Sequence, residues 1–361
     1  MPTGPRNAPA PRRLIDRSLT LWSHRIRALP VVVLMPHSRC NCRCVMCDIW
    51  KANQNKQELT AEDLAAHLDD FERLGVRSVV LSGGEALLHD NLWTLCRMLD
   101  ERGVAITLLS TGMTLEQNAA EVARWCREVI VSLDGDQRLH DRIRGIDGAF
   151  ERLARGVHAV RGVQPACRIS GRCVVQRLNY RGIADIIDAA RRVPLDQISF
   201  LAADVSTTAF NRPEPWQPER VAQVGLDAEQ ALELERLIEQ VIARFGDDFA
   251  SRFIAESPDK MRRIAHHFQA LCGLREPAPP ACNAPWVSTV IEADGTVRPC
   301  FFHAPLGNVH EAPLEQILNS DRAIAFRRQL DVGSDPICRN CVCALRLAPW
   351  QAVGQRGPRR P

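Results

Sequence analysis

The sequence predicts an α/β protein: a partial (β/α)6 TIM-like barrel followed by a small cysteine-bearing C-terminal unit. Three observations carry this. Between residues 30 and 203, short apolar β-branched runs alternate with segments of helical periodicity. Cysteines concentrate in two tight runs, Cys40 to Cys47 and Cys338 to Cys343. A proline-rich stretch, Glu276-Pro277-Ala278-Pro279-Pro280, reads as a linker ahead of the second run.

The elements follow in order. Residues 1–12, rich in Pro, Gly and Arg, read as disordered, and 13–28 as an amphipathic helix. Its arginines would suit a membrane or an anionic partner, but a helix packed on the barrel is the simpler reading. Val31–Met35 is the first strand. Thr60–Leu74 is a helix, with Thr60 as N-cap and Asp63 at the capping-box position. Strand Ser78–Ser82, helix Asn91–Arg102, strand Val104–Leu109 and helix Leu115–Cys126 come next. Strand Glu128–Leu133, helix Gly148–Val160, strand Cys167–Val175, helix Arg181–Val193 and strand Gln197–Leu201 complete the alternation. Crossover helices of this kind imply a parallel sheet, whose active site belongs at the C-terminal strand ends. Residues 204–226 read as a polar loop, and Ala228–Phe245 and Pro258–Cys272 as helices. Thr289–Ile291, the Asp294-Gly295 turn and Thr296–Arg298 spell a hairpin, with Cys282 and Cys300 on its flanks. The expected division is 1–29 tail and helix, 30–203 barrel, 204–280 helical connector, 281–345 cysteine-bearing domain and 346–361 disordered tail.

The totals exclude some functions. A net charge of +3 over 361 residues makes no case for nucleic acid as partner. No signal peptide is visible, and Leu29–Met35 is too short an apolar run to cross a bilayer. The clustering of the 14 cysteines reads as metal ligation and not as a disulfide framework, which places the chain in a reducing, cytoplasmic compartment.

The first cysteine run contains Cys40, Cys44 and Cys47, a C-x3-C-x2-C spacing. Three thiolates on one loop hold three corners of an iron–sulfur cube and leave one iron open, as catalytic zinc keeps one position open. Structural zinc and a four-ligand electron carrier are the alternatives. Cys42 is badly placed to join the same cube. The spacing resembles the signature of the radical S-adenosylmethionine (SAM) superfamily. That resemblance implies a 4Fe–4S cluster whose open iron chelates the amino and carboxylate groups of SAM. An electron from the cluster then splits the sulfonium to a 5′-deoxyadenosyl radical, with a reductant such as flavodoxin or ferredoxin supplying the electron.

Further motifs fit the same family. Ser82-Gly83-Gly84-Glu85 ends the second strand where the family carries Gly-Gly-Glu-Pro against the SAM amino group; Ala86 replaces the proline. Ser132-Leu133-Asp134-Gly135, with His140, Asp141, Arg144 and Gly145 beyond it, resembles a stretch of the peptide- and sulfatase-maturing branch. The resemblance makes Ser132, Asp134 and Arg144 cofactor-binding candidates, with Arg144 pairing the SAM carboxylate. An exposed salt bridge is the alternative. Met46 stands where the family has an aromatic near the adenine. Ser110, Thr111, Asp48 and Trp50 are weaker candidates.

The C-terminal unit resembles the SPASM extension, or its shorter relative called twitch. The resemblance makes Cys282, Cys300, Cys338 and Cys341 ligands of a second, auxiliary 4Fe–4S cluster, with Cys343 spare or exchanging; zinc on four thiolates is the alternative. His303 is the one candidate base near Cys300. The expected function is a radical SAM oxidoreductase that abstracts hydrogen from a biosynthetic small molecule, the auxiliary cluster taking an electron. A maturase of a ribosomally made peptide, and a non-enzymatic iron–sulfur or zinc carrier or scaffold, are the alternatives.

Overall fold

The computed structural model describes residues 10–351 and 353. Helix α1 (Ala10–Ser23) ends earlier than the periodicity suggests, at His24, whose φ of 60° breaks the helical course. The expectations for residues 1–9 and most of the tail lie outside the described residues.

Six parallel strands follow: β1 (Val31–Leu34), β2 (Ser78–Leu81), β3 (Ala105–Ser110), β4 (Cys126–Ser132), β5 (Arg168–Val175) and β6 (Gln197–Ala202). They pair in sequence order, Val32 opposite Val79 and Val79 opposite Ile106 in one buried row. Their apolar runs are continuous because helices cover one face and the barrel interior the other. Those helices are α2 (Ala61–Arg73), α3 (Leu92–Glu101), α4 (Ala119–Trp125), α5 (Gln137–Arg144), α6 (Ala149–Val163) and α7 (Ile183–Arg192). The Thr60–Asp63 capping box is present, Asp63 accepting the Thr60 N–H at 2.8 Å.

Helix α5 lies in a stretch to which the sequence reading assigns no element. Asp136 caps it, accepting the Leu139 N–H at 2.9 Å, and Gly145 at φ 66° ends it. Beyond β6, the loop contains a short helix, α8 (Pro218–Val224), also unexpected. Then come α9 (Ala228–Arg244), α10 (Gly246–Ala250) and α11 (Pro258–Leu271).

The C-terminal hairpin forms as expected, β7 (Ser288–Ile291) antiparallel to β8 (Thr296–Arg298), with β9 (Gly307–Asn308) at its side. It does not stand apart. Strand β7 pairs in parallel with β1, Val31 opposite Ser288 through Leu34 opposite Ile291. The result is one sheet of order β6-β5-β4-β3-β2-β1-β7-β8-β9 among the described residues. The edge of β1 is thereby covered by the cysteine-bearing unit. Helix α1 packs at the same end, its Leu21 against Val31, Trp286, Val287 and Leu347. Leu14, Ile15 and Trp22 of the same helix are exposed. No described helix is long and apolar enough to cross a membrane.

Candidate active site

The loop after β1 carries Cys40, Cys44 and Cys47 to the C-terminal end of the sheet. All three line one cavity of about 210 Å³. Cys42 does not: it is 1% exposed and packs inward with Ile143 and Ala203. The odd thiol of the loop thus lies behind the cavity wall, hydrogen-bonded to the Cys44 thiol.

Neighbouring elements hold the loop. Asn53 clamps Cys40, its Oδ1 accepting the Cys40 N–H at 2.9 Å and its Nδ2 donating to the Cys40 carbonyl at 2.8 Å. The Trp50 indole N–H donates to the Cys47 carbonyl at 2.9 Å, which gives Trp50 a bracing role and not a cavity wall. The α5 end grips the middle: the Arg43 N–H donates to the Arg144 carbonyl at 2.8 Å and the Val45 N–H to that of Ile143 at 3.0 Å. This approach explains Gly145, because a Cβ there would lie 2.8 Å from the Arg43 carbonyl oxygen. A second close approach occurs at Gly84, where a Cβ would sit 2.1 Å from the Arg39 carbonyl oxygen. Gly83 and Gly84 both line the cavity.

Glu85 takes a different place from its two neighbours. It is fully buried and outside the cavity wall. Its Oε2 accepts from Ser110 Oγ at 3.0 Å, Thr111 N–H at 2.7 Å and Thr111 Oγ1 at 2.6 Å, and its Oε1 from the Leu87 N–H at 3.2 Å. Burial raises its pKa against these donors. The carboxylate therefore fixes the turn to the end of β3. Ser110 and Thr111 line the cavity from that strand.

Ser132, Met46 and Arg144 line the cavity as well; Asp134 does not. Asp134, completely buried, accepts the Val174 N–H at 2.9 Å and forms an ion pair with Arg144. Arg144 also donates to Cys44 Sγ at 3.4 Å, and its Nε is buried without a partner. The pair is thus buried, unlike the exposed salt bridge of the alternative reading, and Asp134 anchors Arg144. Cys44 is held below the ordinary thiol range by the Cys42 thiol hydrogen bond and then by the Arg144 guanidinium. Burial pushes Cys40 and Cys47 up to about 12.

Sequence reasoning missed the far wall. Arg172, Asp204 and Phe210 also line the cavity. Asp204 is bound by the buried Arg212 at 2.8 Å, and Arg212 lies 3.8 Å over the Trp216 ring. Phe210 and Asn211 both hold φ near 60°, a conformation side chains avoid and functional loops retain. Arg172 was the one readable signal, a cation in the middle of β5 rather than at its end.

In the C-terminal unit, Cys300, Cys338 and Cys341 each lie within electrostatic reach of Cys282, and Cys343 within reach of Cys300 and Cys341. Burial raises Cys300 to about 11 and Cys338 to about 12. His303 Nε2 lies 3.4 Å from Cys338 Sγ and 3.8 Å from Asp335, with its ring against Phe326. It is absent from the wall of the Cys40 cavity, so its place is beside the second cysteine group and not that of a base at the first.

Both donor sets fit iron–sulfur clusters: soft thiolates only, three around an open cavity in one case and four or five in the other. Comparison with known proteins agrees. The family model described as the radical SAM superfamily matches residues 34–190, and the SPASM model, an iron–sulfur cluster-binding domain, matches residues 282–342. The first implies a 4Fe–4S cluster and SAM, the second further iron–sulfur clusters. Among curated relatives, the Fe-coproporphyrin III synthase of Methanosarcina barkeri is 30% identical over 47% of this chain and 43% of its own length. The AdoMet-dependent heme synthase of the same organism is 24% identical over 87% of this chain and 90% of its own. The bacteriocin subtilosin biosynthesis protein AlbA of Bacillus subtilis is 23% identical over 78% of this chain and 58% of its own. Solved structures of like fold include SuiB of Streptococcus suis bound to S-adenosylmethionine (TM-score 0.61, 15% identical, 93% of this chain and 79% of that one). Another is anSMEcpe with bound AdoMet (TM-score 0.64, 17% identical, 86% of each chain).

Proposed function

The chain belongs to the radical SAM superfamily and carries a SPASM domain, and from that premise we propose that it removes hydrogen from a C–H bond of a small biosynthetic substrate, oxidising it. The observation that carries this is the cavity that Cys40, Cys44 and Cys47 share with Gly83, Gly84, Ser132 and Arg144, and whose wall does not include Cys42. Cys40, Cys44 and Cys47 would hold the first 4Fe–4S cluster, which when bound supplies the electron that splits SAM to methionine and a 5′-deoxyadenosyl group. Arg144, fixed by Asp134, presents positive charge to the cavity for the SAM carboxylate. The backbone of Gly83 and Gly84 lies open toward the amino end. Met46 forms an apolar wall for the base.

Cys282, Cys300, Cys338 and Cys341 would hold the auxiliary cluster. Four thiolates leave no open iron, which suits electron acceptance better than substrate ligation. When bound, such a centre would let the substrate lose one hydrogen atom and one electron with release of a proton, a two-electron oxidation overall. An external reductant such as flavodoxin or ferredoxin serves the first cluster. The small-molecule reading draws support from the heme synthase relative, matched over nearly the whole of both chains. A peptide-maturase reading rests on AlbA, matched over a smaller share of its length.

The test is 5′-deoxyadenosine formation by the anaerobically reconstituted protein with dithionite and SAM. It is run with the small-molecule ultrafiltrate and with the peptide fraction of a cell extract. Stimulation by the ultrafiltrate is the expected result; stimulation by the peptide fraction alone overturns the substrate class.

A further inference from the structure

A second cavity, about 200 Å³, abuts the first. Arg172, Leu201, Ala202 and Val342 belong to the walls of both. Its other walls are β6, α11 and the loop of Cys341 and Cys343. The charge of its lining is lopsided. Arg172, Lys260, Arg263 and Arg339 face it with Glu256 as the one acid. Arg339 pairs with Glu276 at 3.0 Å. The other three cations have no carboxylate within ion-pair distance among the described residues. Arg172 Nε reaches only Ser199 Oγ at 3.4 Å, Arg263 only the Ala278 carbonyl at 3.4 Å, and Lys260 Nζ makes no hydrogen bond. Glu256 is engaged by the Phe200 N–H at 2.9 Å. His267, also in the wall, has a buried Nε2 with no partner. The rest of the lining is apolar: Phe200, Leu201, Ala202, Ile264 and Ala270.

Arg172, Lys260 and Arg263 face one carboxylate, Glu256, whose charge Arg172 and Lys260 share, so the wall is net positive beside an apolar floor. Such a wall suits an anionic ligand, and a guanidinium fork matches a carboxylate in two hydrogen bonds. We propose that this cavity docks the carboxylate arms of a substrate with an apolar body, leaving its reactive C–H bond in the adjoining cavity across Arg172. The apolar floor favours carboxylates on a hydrophobic frame over a strongly hydrated phosphate. This inference rests on the reading that the Cys40 cavity holds SAM. It adds the substrate class, a polycarboxylate, and the residues that select it.

The test uses the reconstituted protein with SAM and the tetracarboxylate coproporphyrin III as probe, followed by its absorbance. Lys260 and Arg263 are exposed on α11, so Lys260→Glu/Arg263→Glu leaves the core intact. Wild type should bind the probe, and the double variant should bind at least about tenfold more weakly, with Lys260→Gln/Arg263→Gln in between. Failure of the wild type to bind, or equal binding by the variants, overturns the proposal. Displacement of the probe by inorganic pyrophosphate would assign the site to phosphates and also overturn it. Loss of auxiliary iron from the double variant would show that these cations serve the cluster instead, and the docking role would fall with it. Probe-free cleavage of SAM is read in the same samples. Its absence from wild type refutes the radical SAM reading of the site, whereas normal cleavage with unselective binding refutes only the docking role.

Discussion

Arg144→Lys tests how SAM is anchored. The guanidinium makes two fixed contacts, to the Asp134 carboxylate and to Cys44 Sγ at 3.4 Å, and it lines the cavity. Its side chain is 7% exposed and that of Asp134 is 0%, so solvent screens the pair little. An ammonium keeps the charge but not the planar fork, so it cannot hold Asp134 and face the ligand together. A lost charge-assisted hydrogen bond costs about 1.5–3 kcal/mol. At about 1.4 kcal/mol per decade, SAM affinity should fall roughly ten- to hundredfold. Equilibrium titration of SAM into the reconstituted protein measures this. Urea unfolding of the same samples separates binding from folding, because complete loss of the buried pair would cost about 3–5 kcal/mol of stability. Asp134→Asn should weaken binding through the same pair, so the double variant should fall short of the sum of the singles. Unchanged affinity in Arg144→Lys, with stability preserved, would remove Arg144 from the SAM site. Additive losses would break the claim that Asp134 works through it.

Three further expectations follow from the same geometry. Gly84→Ala would press a methyl group into the Arg39 carbonyl oxygen, 2.1 Å away, and should cost about 1–3 kcal/mol together with first-cluster iron; unchanged melting and iron content would show that the loop has room to yield. His140 is held neutral by burial, its pKa lowered to about 3, so the unfolded chain takes up the proton first as pH falls below about 6.5. Stability should then decline by about 1.4 kcal/mol per pH unit toward acid, and urea unfolding at pH 7 and 5 should show a smaller decline in His140→Gln; equal slopes would refute this. Cys282→Ala should lose auxiliary iron yet still cleave SAM, since the first cavity is built mainly from β1 to β6 and the loops after them; loss of both activities in a folded protein would make the two sites interdependent.

The sequence carried the barrel because its evidence is local. Each parallel strand is a short β-branched run, and Thr60 with Asp63 announces a helix within four residues. Pairing of β7 with β1 was not legible, because register between residues so far apart in the chain leaves no local mark. Helix α5 was hidden by its composition: most of Gln137–Arg144 is polar, with Leu139 and Ile143 as its only apolar side chains, packed toward the cysteine loop. At the site, the thiol spacing singled out Cys40, Cys44 and Cys47, which line one cavity. The side-chain directions of Glu85 and Asp134 could not be read, since a motif names residues without saying which way they face. Arg172 and Lys260 meet only through tertiary packing of β5 and α11.

The central claim is that Cys40, Cys44 and Cys47 together hold the cluster that cleaves SAM. The most direct measurement pairs iron content with 5′-deoxyadenosine formation in wild type and in the variant with all three cysteines changed to Ala. Two cubane clusters correspond to about eight irons per chain, and the variant should keep about four while forming no 5′-deoxyadenosine. Full iron content in the variant, or cleavage of SAM without these three thiols, would contradict the account.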